Sequence, residues 1–500
     1  MCNRSNFAIT LAIAAVVGFS AAGCGKTAPT DAPPKADAAP AKIPVTTTSE
    51  DARKEYLEAR GMAERLLVQD SIAHYDKAIA LDPNFGLAEL GRANASPTGT
   101  EFLDHLKKAV AVADKLSNGE KLQILSTEAG SNAKGAQQKT YLQELVAAYP
   151  QDERAHFALG ALLFAQQDAS GAIEHFKKAN ELAPDYSAPY NQLGYAYRQV
   201  ADYENAERAF KKYIELIPKD ANPYDSYGEL LLKMGRFDDS VVQYRKALAI
   251  DPNFLASHLG IAADLMYSGK AAEAATELKA VTDKARSDAD RRNAMFATTS
   301  FNVYSGKMDQ ALRDLDQQYT LGAKSSDTLA MVGDLQAKAA IYLEMGKPAQ
   351  ARTMWEQAVK LAEGSTLPDA IKANIALFHH NGLARAALVA KDIATAKQES
   401  DAFGKSALAS GGPAQVRQAH ELAGMIALQE KNWDAAISEL QQATLQDAYN
   451  MYRLCQAYQG KGDKDKAAEL CASAAHFNPL PELNFSFVHG KAAKMAPKKA

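Results

Sequence analysis

Two cysteines near the C-terminus, Cys455 and Cys471, are the side chains whose type and spacing first suggest chemistry. Their midpoint, residue 463, falls in the turn Gly462-Asp463 between two predicted helices, so antiparallel helices would place both thiols at the same height. In an oxidising compartment the pair could form a disulfide, and closing a loop of this size is worth about 3 kcal/mol. The alternative is two small apolar core residues, because free cysteine packs well between helices.

Other residues that could bind a metal or a phosphate lack the partners that such sites need. His379 and His380 are adjacent, and neighbouring residues on a helix point about 100° apart, which makes a shared metal difficult. The chain has no Cys-x-x-Cys pair, no His-Glu-x-x-His motif and no calcium-loop spacing of acids. Residues 25–27, Gly-Lys-Thr, end like a phosphate-binding loop, but Ser20 stands where the loop needs glycine. We therefore predict no metal, no cofactor and no nucleotide.

The N-terminus has the pattern of a secretion signal. Arg4 supplies the positive start, and the apolar run of 13 residues from Phe7 to Phe19 is too short to span a bilayer comfortably. Residues 20–24, Ser-Ala-Ala-Gly-Cys, resemble the lipobox of bacterial lipoproteins, which implies a lipid attached to Cys24 and cleavage just before it. Ordinary cleavage after Ala22 is the alternative, and it would give a soluble secreted or periplasmic protein.

The body of the chain is organised by a pattern that recurs three times between Glu153 and Phe254 at a spacing of 34 residues. Each copy has apolar residues at helical intervals on both sides of a polar turn, followed by a closing proline, so each reads as two amphipathic helices. The repeated positions hold Leu159, Gly160, Leu163, Ala172, Phe176, Ala179 and Pro184 in the first copy, then Leu193, Gly194, Tyr197, Ala206, Phe210, Tyr213 and Pro218, then Tyr227, Gly228, Leu231, Ser240, Tyr244, Ala247 and Pro252.

These residues resemble the tetratricopeptide repeat, a helix-turn-helix unit in which small residues lie where paired helices touch. The resemblance implies an all-α solenoid of about eleven or twelve stacked hairpins that form a right-handed superhelix. We predict the following segments: a signal peptide over 1–23, a disordered Ala/Pro/Thr-rich tether over 24–51, degenerate hairpins over 52–152, well-formed repeats over 153–290, divergent hairpins over 291–410, C-terminal hairpins over 411–480 and a solvated basic tail over 481–500.

The resemblance also implies where a partner would bind. In the family, the exposed inner side of each first helix lies one residue away from the packing positions. Rings there would supply apolar contact, Asn191 or Asn222 could hydrogen-bond an extended backbone, and Tyr195 with Arg198 could form one anchor. The alternative is that these are ordinary surface residues. The predicted groove residues are Arg154, Phe157, Phe164, Asn191, Tyr195, Arg198, Asn222, Asp225, Glu229, Lys233, Met266 and Tyr267.

Together these features predict a non-enzymatic scaffold or adaptor, lipid-anchored in the bacterial cell envelope and facing the periplasm or the exterior. Its partner would be a peptide or helix of an envelope protein held in the concave groove. The alternative is an export or assembly component that handles polysaccharide or lipid, or an unrecognised enzyme, although no nucleophile-elbow motif occurs. The net charge of −4 implies no strongly basic surface, so nucleic acid is not a predicted partner.

Overall fold

The computed structural model describes residues 42–97, 99–132, 134–285, 287–410 and 412–496. The regular secondary structure of these residues is helical, with no strand among them. The predicted signal peptide and the predicted lipid site at Cys24 lie outside the described residues. The chain forms two compact units, which divide between Ile217 and Pro218. This division lies within the predicted block 153–290, and the handedness of the superhelix stays a prediction.

The first unit consists of five helical hairpins, each made of two consecutive helices. A short 3₁₀ turn, Ala113–Lys115, follows the fourth helix. The helices are α1 Glu50–Glu64, α2 Val68–Leu81, α3 Gly86–Ala95, α4 Gly99–Val112, α5 Asn118–Ser131, α6 Gly135–Ala148, α7 Glu153–Ala165, α8 Ala169–Leu182, α9 Ser187–Gln199 and α10 Tyr203–Leu216.

The second unit consists of seven hairpins and a final helix in its described residues. The helices are α11 Ala221–Lys233, α12 Phe237–Ile250, α13 Leu255–Tyr267, α14 Ala271–Asp283, α15 Asp288–Tyr304, α16 Met308–Lys324, α17 Thr328–Glu344, α18 Pro348–Glu363, α19 Asp369–Val389, α20 Ile393–Ser410, α21 Pro413–Gln429, α22 Trp433–Leu440, α23 Ala448–Lys461, α24 Lys464–Ala475 and α25 Leu483–Met495.

Each hairpin is held together by small residues that let two helices approach closely. In the hairpin α7–α8, a Cβ atom on Gly160 would come within 2.8 Å of the Phe176 ring, which is fully buried. The turn follows the expected break, because Gln167 adopts a positive φ of 66° and Asp168 then caps α8 by accepting a hydrogen bond from the Gly171 amide at 2.9 Å. Local sequence therefore sets both the approach and the turn, and the predicted all-α hairpin fold is confirmed.

Both chain ends depart from the predicted segments. Residues 42–48, which we placed in the disordered tether, lie on the first unit, and α1 begins at Glu50. Residues 483–495, which we placed in the solvated basic tail, form α25 and bury apolar side chains that include Phe485 and Val488. Burial of those side chains outweighs the charge of the neighbouring lysines, which lie on the solvent side or pair with acids. Lys498 and Lys499 lie outside the described residues.

Candidate partner-binding surfaces

The predicted groove residues of the first unit do not form one exposed surface. Arg154, Phe157 and Asn191 line a common cavity. Phe164 is half-buried and packs beside the core of α7 and α8, away from that cavity. Three of the predicted residues therefore lie around one cavity, but Asn191 is buried, so the prediction that it is exposed is wrong, and partner binding at this place stays a prediction.

Tyr195 was predicted to point into an open groove, and this prediction is wrong. Its side chain is only 2% exposed, and its ring meets the Phe210 ring edge-on with 5.1 Å between the centroids. The guanidinium of Arg198 does lie over the Tyr195 ring, 4.8 Å from its centroid. A first helix in a stack is covered on several sides, so a position one residue from Gly194 still faces other helices.

Two predicted groove residues of the second unit, Lys233 and Tyr267, contact the C-terminal segment of the chain itself. The Tyr267 hydroxyl donates to the carbonyl oxygen of Pro479 at 2.9 Å, and the Tyr267 ring lies 5.2 Å from that of Phe485. The ammonium of Lys233 lies over the Phe477 ring. A partner could reach these two side chains only by displacing this segment.

The other four predicted residues of the second unit are buried or half-buried. Asp225 is 1% exposed and accepts a hydrogen bond from the Ser257 hydroxyl at 2.9 Å, so it joins two helices instead of facing a groove. Met266 is buried in the core around α13 and α15, and Asn222 and Glu229 are half-buried. The prediction that these side chains are exposed is therefore wrong for Asp225 and Met266.

The segment 42–48 is bound across the starts of three first helices, and we call the surface that holds it the carboxylate track. The track consists of Asp82, which precedes α3, Glu120 in the first turn of α5, and Asp152, which caps α7. The Ile43 amide donates to Asp152 at 2.8 Å, the Thr46 amide to Glu120 at 2.7 Å, and the Thr48 amide to Asp82 at 3.0 Å. One carboxylate per hairpin therefore holds one main-chain amide of an extended segment.

Hydroxyl groups of the segment add to the same pattern. Thr46 Oγ1 donates to Glu120 at 2.6 Å, and Thr47 Oγ1 donates to Asp82 at 2.6 Å. Burial alone would raise the pKa of Asp82, but hydrogen bonds from Thr47, Thr48 and Asn84 outweigh it and hold that pKa below its ordinary value. Asp82 thus keeps its charge, which strengthens the hydrogen bonds that it accepts from Thr47 and Thr48.

A cavity of about 540 Å³ lies beside the segment 42–45 within the first unit. Its walls include side chains of the segment 42–45 and of α1, α2, α3, α7, α9 and α10. The aromatic rings among them belong to Tyr56, Tyr75, Phe157, Tyr186 and Tyr213. The rings of Phe157 and Tyr186 meet nearly edge-on, with centroids 5.5 Å apart. This volume is within the range of ligand sites in proteins.

The charged groups around the cavity are paired with one another. Arg154 makes two hydrogen bonds to Glu64, at 2.7 and 3.0 Å, and its guanidinium lies 5.1 Å from the centroid of the Tyr186 ring. Burial alone would lower the pKa of Arg154, but the bound Glu64 carboxylate raises it above its ordinary value. Arg154 thus stays charged and is held against Glu64 in the wall of the cavity.

Asn191 is the polar exception in this wall. Its side chain is 3% exposed, and its carbonyl oxygen has no hydrogen-bond partner among the described residues. A buried acceptor without a partner costs about 1–3 kcal/mol. Asn191 is among the residues that line the cavity, but this oxygen has almost no accessible surface and is therefore covered by other protein atoms.

The two cysteines predicted to pair are bonded in the structure, whereas the two adjacent histidines have different surroundings. Cys455 and Cys471 are joined by a disulfide with 5.4 Å between their Cα atoms, in the hairpin α23–α24. His380 pairs with Glu399 at 2.6 Å, whereas Nδ1 of His379 is buried without a partner among the described residues. No group of three or more metal-binding side chains in the described residues is arranged to hold an ion.

Sequence reasoning missed the track acids and most of the cavity wall. Asp82, Glu120 and Asp152 each stand at or just before the start of a first helix, a position that favours acids as caps, so nothing distinguished them from ordinary capping residues.

Across the described part of the chain, no helix has the length and apolarity needed to cross a bilayer.

Comparison with known proteins supports the repeat assignment. Two family models of the tetratricopeptide repeat match the chain, one over residues 139–187 and the other over residues 188–220 and 221–254. No curated protein matches the chain.

Several solved structures of MamA share helical hairpins with part of the chain. MamA 41-end from Desulfovibrio magneticus RS-1 is 17% identical, with a TM-score of 0.31 over 34% of this chain and 98% of that one. A crystal structure of the MamA protein is 21% identical, with a TM-score of 0.29 over 32% of this chain and 88% of that one. These TM-scores are too low to bear on function. The hairpin fold, together with the repeats matched over residues 139–254, supports an all-α tetratricopeptide-repeat protein, a class that generally binds protein partners.

Proposed function

We propose that this protein is a non-enzymatic scaffold whose carboxylate track holds an extended segment of a partner protein. The observation that carries the proposal is the chain's own segment 42–48, which the track holds through the amides of Ile43, Thr46 and Thr48. A surface that binds one extended segment in this way has the chemistry to bind another.

The spacing of the track supports this mode of binding. Packed helices lie about 8–10 Å apart, and an extended chain advances about 3.3 Å per residue, so roughly three residues span one hairpin. Ile43 and Thr46 are three residues apart and reach the neighbouring first helices α7 and α5. Because main-chain amides do most of the bonding, selection among partners would come from the side chains between them.

Partial exposure of the segment's side chains supports its exchange for a partner. Lys42, Thr46 and Thr48 are exposed, while Ile43 and Val45 are only half-buried against the cores of the unit. A partner with a β-branched residue in place of Ile43 and hydroxyl residues in place of Thr46 and Thr47 would satisfy the same acids. The segment 42–48 then acts as a placeholder until such a partner binds.

A labelled peptide of residues 41–49 tests this proposal on the full chain. We expect the chain with Ile43→Ser and Thr46→Val, which loosen its own segment, to bind the peptide at least about tenfold more tightly than the unaltered chain. Adding Glu120→Gln should remove that gain, because the track loses a carboxylate. A peptide that binds all three chains equally, or none of them, would contradict the proposal.

We further propose that the scaffold is anchored in the bacterial cell envelope by a lipid on Cys24, and faces the periplasm or the exterior. The lipobox-like residues 20–24 support this part of the proposal. A clickable fatty acid should label the unaltered chain and leave Cys24→Ala unlabelled, with the variant shifted to the soluble fraction. If mild crosslinking in membranes recovers polysaccharide and no protein, the export role is favoured instead.

A further inference from the structure

Two histidine rings face each other across the hairpin α7–α8 of the first unit. His156 lies on α7 and His175 on α8, and their Nδ1 atoms are 3.0 Å apart. We propose that this pair binds a divalent transition-metal ion that prefers imidazole ligands, with Cu²⁺ held most tightly. The pair does not line the cavity and donates nothing to the carboxylate track, so the site is separate from both.

Three hairpins of the second unit show what is unusual about this pair. In each of them, Nδ1 of a histidine on the first helix contacts a glutamate 19 residues later on the second helix: His258 with Glu277, His380 with Glu399 and His420 with Glu439. His156 and His175 have the same separation of 19 residues, but the second place holds histidine. A glutamate there accepts the imidazole N–H, whereas a second imidazole offers another nitrogen ligand to a metal.

A hydrogen bond on the far side of the His156 ring prepares its Nδ1 for a metal. His156 Nε2 lies 3.2 Å from the carbonyl oxygen of Pro150, which can only accept, so Nε2 carries the proton. Burial lowers the pKa of both rings, so both are neutral near neutral pH and His156 Nδ1 presents an unprotonated lone pair. A carbonyl that fixes the tautomer in this way commonly accompanies a metal-binding histidine.

The separation of the two nitrogens fits a shared ion. Metal–imidazole bonds of about 2.0–2.1 Å that meet at about 90–109° place two nitrogens about 2.8–3.4 Å apart, and the observed 3.0 Å lies within this range. The His175 ring is half-buried, whereas His156 is only 8% exposed, so a rotation of His175 would aim both lone pairs at the ion. Water would fill the other positions, because no third metal-binding side chain joins the pair among the described residues.

Binding replaces the hydrogen bond between the rings without a net change in protons. Because His156 Nδ1 is unprotonated, His175 Nδ1 is the donor in that hydrogen bond. When the ion binds, the proton of His175 moves through water from Nδ1 to Nε2. Both Nδ1 atoms then donate their lone pairs to the ion.

The charges around the pair favour a cation. Four carboxylates act electrostatically on the two rings, against one ammonium group. The acids are Asp152, Asp168, Glu174 and Glu181, and the ammonium group is that of Lys178. Lys178 itself pairs with Glu181 at 3.3 Å, which reduces its repulsion of an ion.

Titration of the full chain with Cu²⁺ tests the proposal, with pulsed EPR to count the imidazoles on the bound ion. Every chain carries Cys2→Ser and Cys24→Ser, so that these two residues cannot bind the metal. We expect a single tightly bound ion with two imidazole ligands, and no displacement by excess Mg²⁺, which prefers oxygen ligands. Several ions of equal affinity per chain, an ion with one imidazole, or no binding would overturn the proposal.

His175→Glu is the variant that assigns the site, because it creates the histidine–glutamate pair that the other hairpins already accommodate. We expect its Cu²⁺ affinity to fall at least about tenfold and its imidazole count to fall to one. His420→Gln is the matched control, because it removes a histidine that contacts Glu439 at 2.7 Å and should leave tight binding unchanged. Equal affinities of His175→Glu and the unaltered chain would overturn the proposal.

The ring protons give a second measurement that does not depend on affinity. With the diamagnetic ion Zn²⁺, NMR of the histidine rings should show His175 change from the Nδ1–H to the Nε2–H form, while His156 keeps its proton on Nε2. A His175 ring that keeps its Nδ1–H at saturating Zn²⁺ would contradict coordination through this atom.

Discussion

Replacing Thr46 with valine tests the carboxylate track at its centre. Valine keeps the shape and the main-chain amide of Thr46 but removes the hydroxyl that donates to Glu120 Oε2 at 2.6 Å. A hydrogen bond to a charged group contributes about 1.5–3 kcal/mol. Here the lower part of that range applies, because Thr46 is exposed to water and the carboxylate oxygen keeps the amide and hydroxyl of Ser117 as donors. We therefore expect Thr46→Val to weaken docking of the segment by about 1–2 kcal/mol.

Amide hydrogen exchange measures this loss directly. A change of about 1–2 kcal/mol should speed exchange over residues 43–48 by about 5–30-fold, because exchange follows local opening. Exchange in α15 and α23 should not change. Thr353→Val is the matched control, because Thr353 donates only to a carbonyl oxygen of its own helix. Unchanged exchange at 43–48, or equal acceleration throughout α5 and α7, would refute the reasoning.

Three further predictions follow from other contacts. Gly194→Ala should lower the free energy of unfolding by about 1–3 kcal/mol in chemical denaturation, because its Cβ would lie 2.4 Å from the Phe210 ring. Gly61→Ala is the control and should be neutral or stabilising, because no atom lies within 4 Å of its Cβ. Equal effects of the two substitutions would contradict this packing. The hydrogen bond that His258 donates to the Glu277 carboxylate raises the pKa of His258 above 6.5. His258→Gln should therefore lose stability below that pH and match the unaltered chain once the pH exceeds the raised value. A stability deficit that grows with pH would contradict this prediction. Cys455→Ser should cost about 3 kcal/mol, and two free thiols found by mass mapping of protein prepared without reductant would exclude the disulfide.

The hairpins could be predicted because their signals are local. Gly160, Ala172 and Phe176 lie within 17 residues of one another, and their spacing alone implies two touching helices with a ring between them. The turn at Gln167 is equally local, since one residue of positive φ followed by a capping aspartate ends one helix and begins the next. Helices and turns that are set by neighbouring residues can therefore be predicted without knowing what the rest of the chain contacts.

The binding surfaces could not be predicted because their partners are distant in sequence. Ile43 and Asp152 are separated by 109 residues, and Thr46 and Glu120 by 74, so no local period marks the docked segment. Composition also misled the prediction for the C-terminus, where several lysines suggested a solvated tail. The apolar pattern around Phe485 and Val488 was the signal that could have corrected it.

Helix α25 changes how the second unit should respond to stress. In a simple stack each hairpin contacts only its neighbours, so the hairpins can unfold one after another from an end. Here α25 leaves the last hairpin and returns to α15, with the ring of His489 stacked 3.6 Å from that of Tyr304 and Lys491 paired with Glu344 on α17. Contacts of α25 with α15 at one end and with α23 and α24 at the other therefore link the first and last of these hairpins. Separating any two neighbouring hairpins between α15 and α24 would also disturb the contacts of α25. We expect residues 288–495 to unfold as one cooperative block, so that a pull on the C-terminus is resisted by five hairpins at once.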